Sequence, residues 1–189
     1  MAAPGKTLRV TGIVQGVGFR PFVRNLAVRL GLAGDVLNDA QGVRIRIFGA
    51  ADCIEAFLQE LRSAPPPLSS IQSLTVTDAP GPAPASFSIL HSEEAGRRTV
   101  DVTPDARICA DCLRELLDPA DRRYRYPFIN CTQCGPRYSI LEDVPYDRPN
   151  TTMRDFRMCP ACQVEYDDPT SRRYHAQPNC CPVCGPRLQ

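Results

Sequence analysis

At 189 residues, with 22 basic and 21 acidic side chains and a net charge of +1, the chain has room for one large or two small domains. It lacks the basic field of a nucleic-acid binder. No apolar run approaches the ~20 residues of a membrane-spanning helix, and Met1-Ala2-Ala3-Pro4-Gly5-Lys6 lacks the apolar core of a signal peptide, so neither a membrane nor export is expected and the location expected is cytoplasmic.

Leu8 to Val14 alternates as a strand, with Leu8, Val10 and Val14 on one face. A glycine-spaced loop follows, Gln15-Gly16-Val17-Gly18-Phe19-Arg20, and Pro21 suits the first position of a helix whose apolar residues Phe22, Val23, Leu26, Ala27 and Leu30 recur at helical spacing. Gly31 and Gly34 supply its stop. Val36 to Asn38 predicts a short strand, Asp39 to Gly42 a turn, and Val43, Ile45 and Ile47 the buried face of the next strand. Asp52, with Glu55 three residues on, suggests a capping box for a second helix that buries Ile54, Phe57, Leu58 and Leu61 and ends at Pro65-Pro66-Pro67. Strands at Leu74 to Thr77 and Phe87 to Leu90, separated by the Pro- and Gly-rich stretch Pro80 to Pro84, complete a βαββαβ order with one extra strand. That is the α+β, ferredoxin-like pattern.

The loop has the chemistry of an anion cradle. Glycines at 16 and 18 permit positive φ and close backbone approach, free amides at a helix start favour negative charge, and Arg20 offers a planar charged fork matched to phosphate oxygens. Gly12 to Arg20, followed by Gly34-Asp35-Val36-Leu37-Asn38 and Gly42-Val43, resembles the two signature segments of the acylphosphatase family, over residues 7 to about 90. The resemblance implies that Arg20 and the amides of Gln15, Gly16, Val17, Gly18 and Phe19 hold a phosphate, and that Asn38 orients the attacking water. Asp35 departs from the family, which usually has an aromatic residue there, so local packing is expected to differ.

Beyond a polar linker at Ser92 to Arg98 the chain repeats itself. Cysteine is concentrated there, since nine of the 10 fall between 109 and 184. Cys109-Ala110-Asp111-Cys112 and Cys131-Thr132-Gln133-Cys134 form one C-x2-C-x18-C-x2-C set (109–134). Cys159-Pro160-Ala161-Cys162 and Cys181-Pro182-Val183-Cys184 form a second, fifty residues on (159–184). Asp-Pro, Arg-Arg-Tyr and Gly-Pro-Arg recur at matching places in both. In a reducing compartment such pairs indicate zinc, and four thiolates per ion leave no open position, so two structural zinc ions are expected. The repeat favours pairing within each set; pairing the first C-x-x-C with the fourth is the rival. Gly135 and Gly185 suit turns of positive φ. Cys180 has Asn130 as its counterpart and reads as a bystander, His175 aligns with Arg125 and is not a repeated ligand, Cys53 reads as packing, and His91 has no assigned role.

The order of the two parts, together with Arg122 to Cys131 and Tyr146-Asp147-Arg148-Pro149, resembles the HypF family, the carbamoyltransferases of NiFe-hydrogenase maturation. This divides the chain into an acylphosphatase-like domain, 1–91, and a zinc-binding domain, 92–189. The resemblance implies hydrolysis of carbamoyl phosphate to carbamate and phosphate, as the first step towards the cyanide ligands of the hydrogenase, and HypE as protein partner of the full-length enzyme. The second Gly-Pro-Arg stops two residues later at Leu188-Gln189, which reads as an excised fragment without the later domains. The alternative is a non-catalytic phosphate-binding and zinc-dependent docking module.

Overall fold

The computed structural model describes residues 4–93, 101 and 103–188, and its contacts divide the chain into two units, Met1–Asp101 and Val102–Gln189. The expected linker lies outside the described residues from position 94 to 98, and the first three residues of the chain likewise. Among the described residues, no helix is long and apolar enough to cross a membrane.

In the first unit the elements run β1 (Gly5–Ile13), α1 (Phe19–Arg29), β2 (Ala33–Asp39), β3 (Gly42–Phe48), α2 (Ala51–Ser63), β4 (Ser70–Asp78) and β5 (Phe87–Ile89). They build one sheet of order β4-β1-β3-β2-β5, antiparallel throughout except for β5, which lies parallel to β2. This is the ferredoxin-like α+β fold. Leu8 and Val10 of β1, Val36 of β2, and Val43, Ile45 and Ile47 of β3 pack with Val23 and Leu26 of α1 and Ile54, Phe57 and Leu61 of α2 in a single cluster. Each such side chain contributes about 1.5–3 kcal/mol when fully buried. Because strand side chains alternate, the opposite face presents Arg9, Asp35, Asp39, Arg44 and Arg46. Asp35 stands opposite Arg46 on β3 and accepts hydrogen bonds from its Nε (2.9 Å) and Nη2, an ion pair where the family usually has an aromatic ring. That bond, and then the Asp35 charge, raise the Arg46 pKa above its usual value against the opposing effect of burial.

Three local expectations are corrected. Helix α1 starts at Phe19, two residues before Pro21, because Gly18 in the left-handed region (φ 76°) turns the chain into the helix. Gly34 does not stop α1 but lies inside β2, where a Cβ would come within 1.9 Å of the Arg46 carbonyl oxygen. Asp52 is in the first turn of α2, not its cap: Ala50 holds that position, and the Asp52 carboxylate accepts the neighbouring Cys53 amide at 2.9 Å.

The second unit has two short helices, α3 (Ala110–Leu117) and α4 (Pro160–Asp167), each opening directly after the first cysteine of a repeat. The textual repeat is a backbone repeat. Asp118 accepts the amide of Ala120 at 2.9 Å and Asp168 that of Thr170 at 2.8 Å. Arg125 (φ 55°) and His175 (φ 53°) both adopt the left-handed conformation, and their amides return to Leu116 (2.8 Å) and Tyr166 (2.9 Å). Gly135 has the expected positive φ of 92°. Gly185 is not among the positive-φ glycines; it is small for a different reason, since a Cβ there would meet Tyr126 Oη at 2.2 Å and Cys180 Cβ at 2.7 Å.

Candidate functional site

Strands β1 and β2 are both antiparallel to β3, so they run in the same direction and end at the same edge of the sheet. The loop 14–18 leaves that edge from β1, and Asn38 sits near the end of β2, opposite Val43. Val14, Val17 and Phe19 are buried in the core, which pins the loop at three points. Gln15 adds a fourth: its Nε2 donates to the carbonyls of Asp39 and Gly42, both at 2.8 Å, tying the loop to the β2–β3 turn. Gly16 (φ 72°) and Gly18 (φ 76°) take the positive φ expected of this loop.

Arg20, in the first turn of α1, is only 7% exposed, and no acidic residue in that turn competes with an incoming anion. Its Nη1 donates to Ser92 Oγ at 3.2 Å. Ser92 belongs to a segment that continues past β5 along β2, with the Leu90 amide donating to the Val36 carbonyl (2.9 Å) and the Glu93 amide to that of Asn38 (3.0 Å). Glu93 also accepts from Arg44 at 3.0 Å.

Asn38 is 1% exposed, and among the described residues neither its side-chain oxygen nor its nitrogen has a hydrogen-bond partner. A buried amide in that condition costs about 1–3 kcal/mol, so it calls for an explanation by function.

In the second unit the eight C-x-x-C thiols fall into two clusters, Cys109, Cys112, Cys131 and Cys134, and Cys159, Cys162, Cys181 and Cys184, with the sulfurs of each set within 4.8 Å of one another. The crossed arrangement is not the one observed. Sulfur separations include 3.8 Å for Cys109 to Cys131, 3.6 Å for Cys131 to Cys134, 3.7 Å for Cys159 to Cys181 and 3.6 Å for Cys162 to Cys184. A tetrahedron with metal–sulfur bonds of about 2.3 Å has edges of about 3.8 Å, so both clusters fit a zinc-sized, thiolate-preferring ion. Each also begins at a helix start, where the backbone dipole favours thiolate.

Every cluster is approached by arginines of the other repeat. Arg122 and Arg123 place Nη2 3.4 Å and 3.6 Å from Cys162 Sγ. In return, Arg172 reaches Cys109 and Cys112, each at 3.7 Å, and Arg173 reaches Cys112 at 4.0 Å. A glutamate one helical turn beyond the cysteine anchors each pair: Glu165 accepts from Arg122 (2.6 Å) and Arg123 (2.5 Å), and Glu115 from Arg172 (2.5 Å) and Arg173. Arg123 and Arg173 are buried and also donate Nε to the carbonyls of Cys180 (2.8 Å) and Asn130 (3.0 Å). Burial alone would raise the Glu165 carboxyl, yet the bond and charge of Arg123, then the charges of Arg173 and Arg122, bring it to about 2. Burial opposes the charge on Arg172, but Glu115 and the Cys112 thiol raise its pKa above the usual arginine value.

The residues expected to bind phosphate thus lie at one sheet edge, and the eight cysteines form two compact sets. Ser92, read as linker, was missed, as was the structural tie made by the Gln15 side chain. The Arg-Arg doublets were visible as repeats but not as partners of the thiols. Their recurrence beside a glutamate at the third position after a cysteine was the available signal. Cys180 is buried, its thiol 3.4 Å from Tyr126 Oη, and burial raises its pKa. His175 packs its ring between Tyr166 (4.9 Å) and Tyr174 (4.7 Å).

Comparison with known proteins agrees with this anatomy. Residues 6–89 match the acylphosphatase family, and residues 108–141 and 158–189 match the HypF finger. An acylphosphatase of Thermotoga petrophila is 47% identical over 60 residues, 31% of this chain and 67% of that protein, and by its first unit this chain belongs to the acylphosphatase family. The finger that follows is the kind described for HypF, and relatives that match both units carry that name. Carbamoyltransferase HypF of Synechocystis sp. is 50% identical over 149 residues, covering 79% of this chain and 19% of that one. A crystal structure of full-length HypF in a phosphate- and nucleotide-bound form superposes with a TM-score of 0.93 at 50% identity, over 98% of this chain and 25% of that one. The chain therefore spans about a fifth of the length of the curated carbamoyltransferase it matches.

Proposed function

We propose that the first unit hydrolyses carbamoyl phosphate to carbamate and inorganic phosphate, in the cytoplasm, as the opening step of the carbamoyl transfer that supplies cyanide ligands during NiFe-hydrogenase maturation. In this reading the amides of residues 15–19 and the Arg20 guanidinium bind the phosphate, and Asn38 orients the water that breaks the mixed anhydride. The substrate is already activated, so no covalent nucleophile is required; fixing the water and stabilising charge on the phosphate are the main demands. The observation that carries the proposal is the buried Asn38 amide, without a partner among the described residues, at the same sheet edge as a glycine loop and a nearly buried arginine. The phosphate-bound state named for the solved HypF relative adds support.

The two thiol clusters are proposed to hold one zinc ion each. With four sulfurs per ion the metal supplies folding energy and no site for water. Arg122, Arg123, Arg172 and Arg173 are engaged with thiols and carboxylates, which leaves the Arg-Arg-Tyr segments poorly placed to stack on nucleic-acid bases. HypE is proposed as the protein partner of the longer enzyme.

The test is phosphate release from carbamoyl phosphate and from acetyl phosphate, by the chain and by Arg20→Ala, alongside zinc quantification. Turnover of carbamoyl phosphate that exceeds that of acetyl phosphate and collapses in the variant is expected. Calorimetric phosphate binding with no turnover would instead make the domain a non-catalytic docking module.

A further inference from the structure

We propose that the two thiol centres are reciprocally braced, so that metal binding at one raises the affinity of the other. The inference rests on the reading that each cluster holds a metal ion.

Four thiolates around a divalent ion leave an excess of two negative charges. In each centre two arginines approach those thiols, and both come from the other repeat: Arg172 and Arg173 for the first set, Arg122 and Arg123 for the second. The arginines sit on loops whose two ends are the C-x-x-C pairs of their own repeat. Metal in the second set closes the loop that carries Arg172 and Arg173, and so delivers those charges to the first set; the converse holds for Arg122 and Arg123. Glu115 and Glu165 tighten the arrangement, because each accepts from both arginines of the opposite repeat. Glu165 Oε1 also comes within 3.9 Å of Arg173, which brings the two halves of the brace together.

Thr132 adds a further tie between the repeats. Lying between the second pair of cysteines of the first repeat, it donates its amide (3.1 Å) and hydroxyl (2.8 Å) to the Arg172 carbonyl. Its counterpart Pro182 has no amide hydrogen to give. Coupling of this kind needs a physical element with two arrangements that both sites bias, and each loop between the C-x-x-C pairs of a repeat, closed or open, is that element.

The test begins with metal-free chain under reducing conditions, titrated with zinc(II) and read by native mass spectrometry. A Cys162→Ser/Cys181→Ser variant removes the second centre. The remaining centre is expected to bind zinc on the order of 5- to 150-fold more weakly than in the unaltered chain, the usual range for linked sites; unchanged affinity overturns the proposal. Because that variant loosens a whole repeat, Arg172→Gln is the sharper probe, since it leaves all eight thiols in place. It is expected to weaken the first centre by on the order of 10- to 100-fold, as outer-sphere substitutions do. At limiting zinc, Cys109, Cys112, Cys131 and Cys134 are then alkylated before the thiols of the variant's own repeat. Arg172→Lys, which keeps the charge but not the fork, should fall between the two. Alkylation of the second repeat first, or no difference between the sets, overturns the proposal. A chain that binds no zinc at all would overturn the metal reading itself, whereas two zinc ions bound independently would overturn only the coupling.

Discussion

Among the described residues, eighteen buried apolar side chains of the first unit, from both helices, four of the five strands and the adjoining loops, meet in one cluster; in the second the corresponding cluster has seven members, four of them cysteines. The number decides what each unit needs. At about 1.5–3 kcal/mol for each fully buried side chain, the first unit draws far more from apolar burial than the second, which adds thiol centres and buried arginines to a small core. The polar groups also serve opposite purposes. In the first unit a buried amide at the candidate site has no partner among the described residues, whereas in the second the buried arginines are bonded to carbonyls, carboxylates and thiols.

The largest expected effect separates the two units outright. Chelation of metal removes a contribution of about 10–16 kcal/mol, the range for structural zinc in small finger peptides, and should unfold residues 103–188 while residues 4–93 stay protected. Hydrogen exchange measured by mass spectrometry reads both in one experiment, and protection lost from the sheet at the same chelator concentration would contradict the division. The converse experiment is Phe57→Ala, which empties the centre of the first core. It should cost about 3–5 kcal/mol in that unit without changing zinc content. Arg20→Ala is expected to lower phosphate release about 100- to 1000-fold, as loss of one charge-stabilising donor does, with the melting of neither unit altered by a comparable amount. Ser92→Ala removes one hydrogen bond to Arg20, worth about 0.5–1.5 kcal/mol, and should raise KM by roughly 2- to 10-fold with little change in kcat; a larger fall in kcat would mean that Ser92 touches the reacting group itself.

What was legible in the sequence follows the range of the interaction. Alternation at Leu8, Val10, Val43, Ile45 and Ile47, and helical spacing at Ile54, Phe57, Leu58 and Leu61, are local patterns, and the elements they imply are present. The C-x-x-C spacing is local too, and it located both thiol centres. The start of α1 was misread because Pro21 is a strong marker for a first helical position, while the left-handed turn at Gly18 sets the true start. Asp52 and Glu55 had the right spacing for a capping box, but Ala50 already occupies the cap. Contacts across long stretches of chain left little trace: Ser92 meets Arg20 across 72 residues, and Arg172 meets Cys112 across 60. Gly185 was expected to be a turn glycine when the constraint came from Tyr126, a residue of the other repeat.

The Asn38 amide has a further consequence, for how this domain could be improved or damaged. A residue that lowers the stability of its own fold is a place where stability and activity conflict. An apolar side chain of similar shape, as in Asn38→Leu, would relieve the cost of the unpartnered amide and leave the strand pairing of β2 intact. The expected product is a domain that melts at a higher temperature and releases no phosphate. Selection for heat resistance alone would therefore tend to erase the candidate site, and screens on this protein should score turnover alongside melting.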